Sequence, residues 1–384
     1  MSSKYFLGQA SNYRAKDVIK HTFAIAPKKW HSMLRQYLAK MYHTEPKNVF
    51  LMNNGRSALA AAFKAFLPEK SEVIINGFTC YAVVQAVEKA GMIPVYADIN
   101  RKTLNFDTKT LEKTLEKHPK AKALVIQNTL GVCVNIKDIE EFAKNHKLII
   151  IEDLAHCAGF KYADGRTVGS VGAAAALSFG KGKSLDAITG GALIINDDSK
   201  INYEVTSKLD RKTPLHFGYE APKLSDSLRA RFYPLLALIG RGFSKIHLEK
   251  YWYGPLIKLH FIERAVDAKL NFGRRPASWQ AKLIMRQLEN IEKTGAKPIR
   301  TFRLVNNRAA TLKKLEDAGY NFREVWYDVP VSPVRYYKQV NFDEAACPVA
   351  TEIAAHIVNI PTYYPVEELN RAIKIIEEDE YVKN

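Results

Sequence analysis

The feature that most constrains the fold is a regular alternation of apolar runs and helix-period segments between about residues 49 and 195. Runs typical of buried strands are Val49–Met52, Val73–Ile75, Pro94–Ile99, Ala123–Ile126, Leu148–Asp153 and Ala174–Phe179. Helical periodicity lies between them, at Ser57–Leu67, Ala82–Ala90, Lys109–Lys117 and Ile136–Asn145. Such continuous Val, Ile and Leu runs predict a mostly parallel, buried sheet with crossover helices. Ligands of such a sheet bind at the carboxyl ends of its strands.

The length and the later pattern indicate more than one structural unit. A chain of 384 residues suits two domains, or one large α/β domain with an appendage. The alternation stops near residue 205, a helical pattern resumes at Trp279, and Phe322–Asp328 is typical of a strand. Further elements are predicted at Val349–Ile357 and Glu367–Glu377. We therefore expect a large domain over residues 1–204, a basic and aromatic excursion over 205–279, and a small C-terminal α/β domain over 280–384.

The composition excludes disordered, fibrous and disulfide-rich classes of protein. Hydrophobic residues make up 47% and charged residues 25% of the chain, as in ordinary soluble domains. The four cysteines show no C-x-x-C spacing, so neither a disulfide scaffold nor a thiolate metal site is predicted. No apolar run has the length of a signal-peptide core or of a membrane span. These features predict a cytoplasmic protein.

The charge favours an anionic partner. The chain has 57 lysines and arginines against 40 acidic residues, which gives a formal net charge of +17. Such an excess suits nucleic acid, anionic lipid head groups or a phosphorylated substrate, and it also serves solubility alone. No motif that reads nucleic acid accompanies the charge, so we do not expect nucleic acid as a partner.

The first loop that can carry chemistry is Asn53–Ser57, between a predicted strand and a predicted helix. Gly55 permits a tight turn, and the unpaired N–H groups at a helix N-terminus bind phosphate. The same residues are also typical of plain helix capping. The loop alone therefore does not establish a phosphate site.

The second loop ends an apolar strand with two carboxylates, Glu152 and Asp153, and continues to His156. A buried carboxylate is costly unless it has a partner. It can hold a metal ion, stay ionised against a protonated ring nitrogen, or cap the next helix. The residues themselves leave these interpretations open.

The third loop carries Ser178, Lys181 and Lys183. A lysine at the end of a buried strand is desolvated, which frees an amine nucleophile for Schiff-base chemistry, and Ser178 offers a hydroxyl to a phosphate. The string GKGKS is not a P-loop, because Leu177 stands where that motif requires its first glycine. Periodicity does not choose between the two lysines, and a solvated basic turn is the alternative interpretation.

Several segments together resemble one known family. NNGRSALAAAFKAF resembles a glycine-led phosphate turn, and EVIINGFTCYAVVQAVEKAGMIPVYADINRKTLNFD resembles a block of strand, aromatic loop, helix and strand. Then follow ALVIQNTLGVCVNIKDIEEFAKNHKLIIIEDLAHCAGFKY, VGSVGAAAALSFGKGKSL, TGGALIINDD and the closing signature ACPVATEIAAHIVNIPTYYP. In this order they resemble the DegT/StrS-type sugar aminotransferases, which are pyridoxal-phosphate enzymes. The resemblance implies the α/β fold-type I aminotransferase architecture, with a large, mostly parallel α/β/α sheet domain plus a smaller C-terminal α/β domain.

The resemblance also implies roles for individual residues. Lys183 matches the Schiff-base lysine, Ser178 the phosphate-binding hydroxyl, and Asp153 the carboxylate that pairs with the pyridine nitrogen. His156 falls beside the ring hydroxyl of the cofactor, and Asn128 falls near the ring. The remaining implied phosphate contacts are Gly55, Arg56 and Ser57, where Arg56 replaces the usual small residue.

Two positions depart from the family pattern. The aromatic residue that usually stacks on the cofactor ring aligns with Cys80. Tyr81 or Phe78 is the expected replacement, and we count Tyr81 among the cofactor-binding residues. The family's N-x-R loop, which reaches the cofactor of the neighbouring subunit, appears here at residues 273–275, where only Arg275 matches. A solvated turn is the alternative for this arginine.

The implied reaction moves an amino group from an amino acid, glutamate in most of the family, to a keto-sugar carried on a nucleotide diphosphate. In it Lys183 is the proton carrier and Asp153 stabilises the ring charge. A homodimer with active sites at its interface is implied as well. Two alternatives stay open: a sugar dehydratase of the same fold, which carries histidine in place of Lys183, and a non-catalytic pyridoxal-phosphate-binding regulator.

Residues 229–269 contain eight lysines and arginines against three acidic residues, with aromatic residues interleaved. One hypothesis is a peripheral contact with the inner face of a membrane, because basic and aromatic side chains together suit anionic head groups. Such a contact fits a lipid-linked sugar substrate. The alternative is a helical excursion that covers the mouth of the active site or the dimer face.

Overall fold

The computed structural model describes residues 22–23, 26–201, 217–244, 248–258, 269–320, 322, 325–362 and 364–381. Several predictions fall partly outside these described residues. They concern residues 1–21 and 24–25 of the large domain, 202–216 at its junction with the excursion, and 245–247 and 259–268 of the proposed membrane contact. Residues 321, 323–324, 363 and 382–384 of the predicted small domain, two of them in the predicted strand Phe322–Asp328, lie outside as well.

A seven-stranded sheet forms the centre of the structure. Its strands are β1 (Val49–Met52), β2 (Glu72–Asn76), β4 (Ile93–Ala97), β5 (Ala123–Ile126), β6 (Ile149–Asp153), β7 (Ala174–Ser178) and β8 (Gly191–Ile195). They are ordered β1-β8-β7-β6-β5-β2-β4, and only β8 runs against its neighbours. The carboxyl ends of β1, β5, β6 and β7 therefore lie at one edge, where the loops that follow them meet.

Helices cover both faces of this sheet. The helices of the first half are α1 (Lys29–Met41), α2 (Gly55–Phe66), α3 (Tyr81–Lys89), α4 (Thr108–Lys117) and α5 (Ile136–Asn145). Because strand side chains alternate between faces, Ile74 of β2 joins the core under α1 and α5, whereas Val73 and Ile75 join the core under α2 and α3. The predicted mostly parallel α/β/α layer is confirmed.

Three helices occupy the middle of the chain: α6 (Leu224–Ser244), α7 (Glu249–Lys258) and α8 (Ser278–Thr294). Helix α8 packs Ala281, Ile284 and Leu288 into the same core as α1. The division at residues 204 and 279 stays a prediction, and the packing of α8 favours a third segment that begins after this helix.

The C-terminal part contains β9 (Arg300–Leu304), α9 (Arg308–Asp317), β10 (Val331–Ser332), α10 (Val334–Tyr337), α11 (Pro348–His356), β11 (Ile357–Pro361) and α12 (Val366–Glu377). Strands β9 and β11 pair antiparallel and carry a separate small core. Strand β10 pairs with the short β3 (Thr79–Cys80), which joins this part to the loop after β2. Short 3-10 helices lie at Pro46–Asn48, Thr129–Gly131 and Asp198–Lys200.

The predicted strand Phe322–Asp328 is wrong where the structure describes it. Residues 325–328 form no strand, and Tyr327 has a positive φ of 65°. The apolar character of this run has another cause, because Tyr327 is buried and stacks on Phe78 with ring centroids 4.7 Å apart. The strands β9 and β11 were not predicted.

Candidate active site

The loops after β1, β6 and β7 enclose a cleft at the carboxyl edge of the sheet. Its inner part is a cavity of about 70 Å³ lined by Asp153, His156, Lys183, Gln127 and Tyr327, among others. An outer cavity of about 470 Å³ lies beside it. Residues that line both are Gly55, Arg56, Cys80, Ala82, Ser178 and Lys183. The two cavities are therefore adjacent and share part of their lining.

The N-terminus of α2 opens into this cleft. Asn54 caps the helix, because its side-chain oxygen accepts the N–H of Ser57 at 2.8 Å. Gly55 lies so close to β7 that a Cβ atom there would be 2.6 Å from Cβ and 2.9 Å from Oγ of Ser178. The absence of a side chain at Gly55 thus leaves helix N–H groups and the Ser178 hydroxyl together, as an anion site requires.

The side chains of Arg56 and Ser57, the other two residues of this turn, point in different directions. Arg56 lines the cleft and its guanidinium donates to Oε1 of Gln85. Ser57 is fully buried, and its hydroxyl accepts the backbone N–H of Asn271 at 3.0 Å. Ser57 lines neither cavity, so its side chain holds the neighbouring loop instead of facing the cleft.

Of the two lysines in the third loop, Lys183 reaches the inner cavity. Its Nζ atom lies 3.1 Å from Nε2 of His156 and 4.9 Å from the ring centre of Trp326. The Nζ atom of Lys181 instead lies 4.3 Å above the ring of Tyr233 on α6, and this side chain lines only the outer cavity. The tertiary structure therefore favours Lys183 as the reacting amine.

The hydrogen bonds of His156 define its protonation. Its Nδ1 accepts the backbone N–H of Leu130 at 3.2 Å, so a neutral ring carries its proton on Nε2, which faces Lys183. Burial, and then the positive charges of Lys183 and Arg300, lower the pKa of His156 well below its ordinary value. The ring is therefore neutral at pH 7.

The side chains of Glu152 and Asp153, the acidic pair at the end of β6, lie on different sides of the strand. Glu152 is fully buried, and its oxygens accept the Tyr162 hydroxyl and the N–H groups of Gly169, Val171 and Gly172. Asp153 faces the inner cavity and accepts the N–H of Ala155 at 3.0 Å. Glu152 is therefore a structural carboxylate, and Asp153 is the one available for chemistry.

Among the described residues, one backbone N–H group and one lysine favour the ionised form of the buried Asp153 carboxyl. Burial raises the pKa of its carboxyl, while the N–H of Ala155 and the charge of Lys183 act in the opposite direction. A protonated ring nitrogen placed against this carboxylate would supply a further positive charge. Asp153 therefore fits the role that the sequence assigned to it.

A buried aspartate holds the loop that carries Lys183. The side chain of Asp186 accepts the N–H groups of Gly182 and Ile188, each at 2.9 Å, so it bridges the two sides of the loop. Gln287 of α8 binds the backbone N–H and carbonyl of Asp186 at 2.8 and 2.7 Å. The position of Lys183 is thus tied to the helix that packs in the main core.

Asn128, which the resemblance placed near the cofactor ring, lies outside the cleft. Asn128 is fully buried, donates to the Tyr162 hydroxyl at 3.3 Å and accepts the N–H of Val134, and it lines neither cavity. Its neighbour Gln127 lines the inner cavity. Because the two residues follow the same strand, the prediction chose the right strand end but the wrong position.

The aromatic residues proposed to stack on the ring also point away. Tyr81 stacks on Tyr336 with centroids 4.6 Å apart, and Phe78 stacks on Tyr327. Neither lines the cleft, whereas Cys80 does. The aromatic surface near Lys183 comes instead from Trp326 and Tyr327, a segment that the sequence pattern had indicated as a strand.

The outer cavity is predominantly basic. Arg275 lines it and donates to the carbonyl of Tyr219. The other cations that line it are Arg56, Lys181, Lys183, Lys223, Arg229, Lys269 and Arg274, against the carboxylate of Asp226. The site thus combines a lysine amine, a buried carboxylate, the N-terminus of α2 beside the Ser178 hydroxyl, and a positive entrance.

Comparison with known proteins agrees with this chemistry. A sequence model of the DegT/DnrJ/EryC1/StrS aminotransferase family matches residues 12–208, just over half of the chain. A GDP-perosamine synthase of Caulobacter vibrioides is 33% identical over 153 residues, which are 40% of this chain and 40% of that protein. A pleiotropic regulatory protein of Geobacillus stearothermophilus is 35% identical over 149 residues, which are 38% of this chain and 39% of that protein. The alignments thus span about two fifths of each relative.

Solved structures share the fold over nearly the whole chain. Spr1654 of Streptococcus pneumoniae, solved in PLP and PMP forms, has in the PMP form a TM-score of 0.69 at 16% identity, with 97% of this chain and 98% of that chain covered. Helicobacter pylori PseC, an aminotransferase in pseudoaminic acid biosynthesis, has a TM-score of 0.65 at 17% identity, with 98% and 100% covered. These likenesses confirm the predicted fold class.

Proposed function

Because the chain belongs to the DegT/DnrJ/EryC1/StrS aminotransferase family, we propose that it is a pyridoxal-phosphate-dependent aminotransferase. It moves an amino group from an amino acid, in the first place glutamate, to a keto-sugar carried on a nucleotide diphosphate. The observation that carries the proposal is that Lys183 and Asp153 line one cavity together with Ser178 and Gly55. These groups match an aldehyde, a protonated ring nitrogen and a phosphate, which are the three recognition points of this cofactor.

Each residue has a distinct task at this site. Lys183 provides the amine that binds the aldehyde, Asp153 holds a positive ring nitrogen, and Ser178 with the N-terminus of α2 binds the phosphate. Arg56 adds a cation at the same turn. When bound, pyridoxal phosphate supplies an electron sink for the charge that develops when the donor loses its α-proton.

With pyridoxal phosphate bound, proton transfer would fall to the free amine of Lys183. This amine would take a proton from the α-carbon of the amino acid and deliver it to the cofactor carbon on the other side of the transferred nitrogen, acting first as base and then as acid. The Nε2–H of neutral His156, 3.1 Å away, orients the lysine nitrogen for this transfer. The aromatic rings of Trp326 and Tyr327 beside it exclude water from the reacting atoms.

The outer cavity supports an anionic sugar carrier. Its cations, including Lys223, Arg229 and Lys269, stand at the entrance to the inner cavity and suit a diphosphate. A UDP-2-acetamido-2-deoxy-3-oxo-D-glucuronate aminotransferase of Pseudomonas aeruginosa is 33% identical over 147 residues. The activity for which it is named and that of GDP-perosamine synthase support a nucleotide-linked keto-sugar as the acceptor.

Homodimerisation and a cytoplasmic location remain parts of the proposal. The family resemblance implies that Arg275 reaches the cofactor of a neighbouring subunit. In this chain Arg275 lines the outer cavity, close to the loop of residues 53–56. Whether Arg275 serves the cavity of its own chain or the cofactor of a neighbouring subunit, its guanidinium suits a phosphate.

The principal alternative is a regulator that binds the cofactor without turnover. The pleiotropic regulatory protein of Geobacillus stearothermophilus, 35% identical over 149 residues, is the observation in its favour. A dehydratase is disfavoured by the lysine at position 183. The complete set of catalytic groups at the inner cavity favours the aminotransferase.

Covalent trapping tests the proposal. Purified protein incubated with pyridoxal phosphate is expected to be yellow, and borohydride is expected to fix the cofactor on Lys183, as located by peptide mass spectrometry. Lys183→Ala abolishes the visible band, while the matched variant Lys181→Ala retains it. Cofactor fixed on Lys181, or an unchanged band in Lys183→Ala, contradicts the assignment.

Addition of glutamate separates the alternatives. An aminotransferase converts the yellow form to the amine form with release of 2-oxoglutarate, and a keto-sugar nucleotide then restores the yellow form. A yellow protein that shows neither response is a regulator or acts on a different donor. Screening several amino donors before this conclusion distinguishes the two.

A further inference from the structure

The exposed apolar surface of the chain is concentrated on α6, α7 and the residues next to them. Large hydrophobic side chains that are exposed in this part are Tyr219, Leu224, Leu228, Phe232, Ile239, Leu248, Tyr251 and Ile257. The other exposed ones among the described residues are Phe23, Met33, Ile93, Val334 and Val366, which are scattered along the chain. Scattered apolar residues are ordinary, whereas a group of this kind marks an interaction surface.

Four of these residues form one face of α6. At about 100° per residue, positions 224, 228, 232 and 239 fall within about 80° of one another around the helix. Their exposures are 75%, 43%, 40% and 40%. We call these four residues the α6 apolar face.

The opposite side of α6 belongs to the active-site cleft. Asp226, Ala230 and Tyr233 line the outer cavity and lie about half a turn away from the α6 apolar face. Tyr233 also contacts Lys181 in the loop that carries Lys183. Helix α6 therefore separates the cleft from solvent: one side of the helix lines the outer cavity and the opposite side is exposed.

Helix α7 packs on α6 without covering this face. The indole N–H of Trp252 donates to the carbonyl of Leu236 at 2.9 Å, and Trp252 stacks on Phe243 with centroids 5.1 Å apart. Tyr251 at 64% and Ile257 at 39% extend the exposed apolar surface onto α7. The helix pair is thus held together by its own contacts and presents further apolar side chains outward.

Charge decides which partner this surface fits. Residues 229–269 carry eight lysines and arginines against three acidic residues, and the whole chain has a net charge of +17. A symmetric contact between two copies through the α6 apolar face would bring two positive segments together, which is unfavourable. An anionic lipid surface instead attracts the cations and accepts the apolar and aromatic side chains. None of the helices that the structure describes combines the length and the apolar character of a membrane span.

We propose that the α6 apolar face, with the adjoining exposed residues of α7, docks the protein on a membrane surface that contains anionic lipids. In the docked orientation helix α6 lies between the head groups and the basic outer cavity, because the opposite side of the same helix lines that cavity. This docking requires none of the assigned cofactor chemistry. The contact begins before the segment 229–269, because Leu224 and Leu228 belong to the α6 apolar face.

Vesicle flotation of the full chain tests this docking. The unmodified protein is expected to float with vesicles of phosphatidylcholine mixed with phosphatidylglycerol, to float far less with phosphatidylcholine alone, and to dissociate as salt is raised. Leu228→Glu combined with Phe232→Glu is expected to reduce binding at least roughly tenfold, because two apolar anchors become anionic. Val366→Glu, at a 72% exposed residue on α12, is the matched control and is expected to bind like the unmodified protein.

Three results would overturn the proposal. They are failure of the unmodified protein to float, equal binding by the double variant, and equal loss of binding in Val366→Glu. Size-exclusion chromatography supplies a second readout. If the double variant elutes as a smaller species than the unmodified protein, and the unmodified protein does not float, the α6 apolar face is a contact between copies of the chain. The visible band with pyridoxal phosphate is expected to be the same in all variants, so failure of docking and failure of the proposed activity are separate outcomes.

Discussion

The Nε2 atom of His156 lies 3.1 Å from the Nζ atom of Lys183, and the opposite ring nitrogen accepts the backbone N–H of Leu130. The main chain after β5 thereby sets the tautomer of a histidine on the loop after β6. The single N–H of the neutral ring is in turn directed at the lysine from the loop after β7. Three neighbouring strands thus determine the direction of one amine.

The depressed pKa of His156 predicts a pH dependence of stability. The unfolded chain binds a proton at this residue below its ordinary pKa of about 6.5, while the folded chain does not. The free energy of unfolding therefore falls as pH drops below 6.5, by up to about 1.4 kcal/mol per pH unit from this group. Urea unfolding at pH 7 and pH 5 is expected to show a smaller decrease for His156→Gln than for the unmodified protein. Parallel pH curves for the two proteins would contradict the buried neutral ring.

Neutralising Asp153 is expected to lower turnover, whereas neutralising the adjacent Glu152 is expected to lower stability. Asp153→Asn removes the charge opposite the ring nitrogen, so kcat is expected to fall on the order of 10²-fold or more with little change in stability. Glu152→Gln replaces one oxygen that accepts backbone N–H groups, and it is expected to cost about 1–3 kcal/mol of unfolding free energy. Turnover and urea unfolding of both variants check this division. A similar loss of kcat in each would show that the pair acts as a unit.

Gly55→Ala is expected to weaken the binding of pyridoxal phosphate. The added Cβ would lie 2.6 Å from Cβ of Ser178, so either the turn or the hydroxyl must move from the anion cradle. We expect the dissociation constant to rise about tenfold or more, measured by titration of the visible band, because a charged hydrogen bond contributes about 1.5–3 kcal/mol. Gly254→Ala, in an exposed turn of α7 with no atom within 4 Å of the new Cβ, is the matched control. Unchanged affinity in Gly55→Ala would remove this turn from the phosphate site.

Asp186→Asn is expected to slow the reaction of Lys183 with pyridoxal phosphate. The amide has one acceptor oxygen in place of two, so either Gly182 or Ile188 loses its partner and the lysine loop becomes less fixed. The rate at which the visible band appears after mixing is the measurement. Asp186→Glu, which keeps both oxygens, is the comparison, and equal rates in all three proteins would show that the loop needs no such clamp.

The same residue has a pH signature of opposite sign to that of His156. Burial raises the pKa of Asp186 to about 7, while the N–H groups of Gly182 and Ile188 and the charge of Lys181 act in the opposite direction. The folded chain therefore retains a proton that the unfolded chain has lost between about pH 4 and pH 7, and this contribution to stability decreases as pH rises through that window. Asp186→Asn is expected to remove this decrease from the urea unfolding curves. A decrease that persists in the variant would assign it to another carboxyl.

The predicted site residues that line the inner cavity share one property, which is that they lie at or just after the end of a buried strand. Asp153 and Ser178 end β6 and β7, and Lys183 lies in the loop after β7, so the direction of a parallel sheet is sufficient to bring them to one edge. Asn128 and Tyr81 are also next to strands, yet a change of one position turns a side chain away from the cleft. Local pattern identifies the loop but not the direction of each side chain in it.

Trp326 and Tyr327 could not be found from the same pattern. They reach Lys183 because the small C-terminal part folds back onto the loop after β2 through the pairing of β10 with β3. A run of apolar residues is typical of a strand whether its burial comes from a sheet or from aromatic stacking. The position of Phe78 beneath Tyr327 shows which of the two applies here.

The sequence by itself determined the parallel sheet, the edge at which chemistry is placed and the excess of positive charge, because these depend on residue type and short-range periodicity. Only the tertiary structure shows that Lys183 and Asp153, which the family resemblance had selected, line the inner cavity whereas Lys181 and Glu152 do not, and which side of α6 faces outward. The reason is that each of these placements depends on contacts between segments far apart in the chain, such as α8 with the lysine loop. Such contacts follow from the packing of whole elements against each other, which no local pattern encodes.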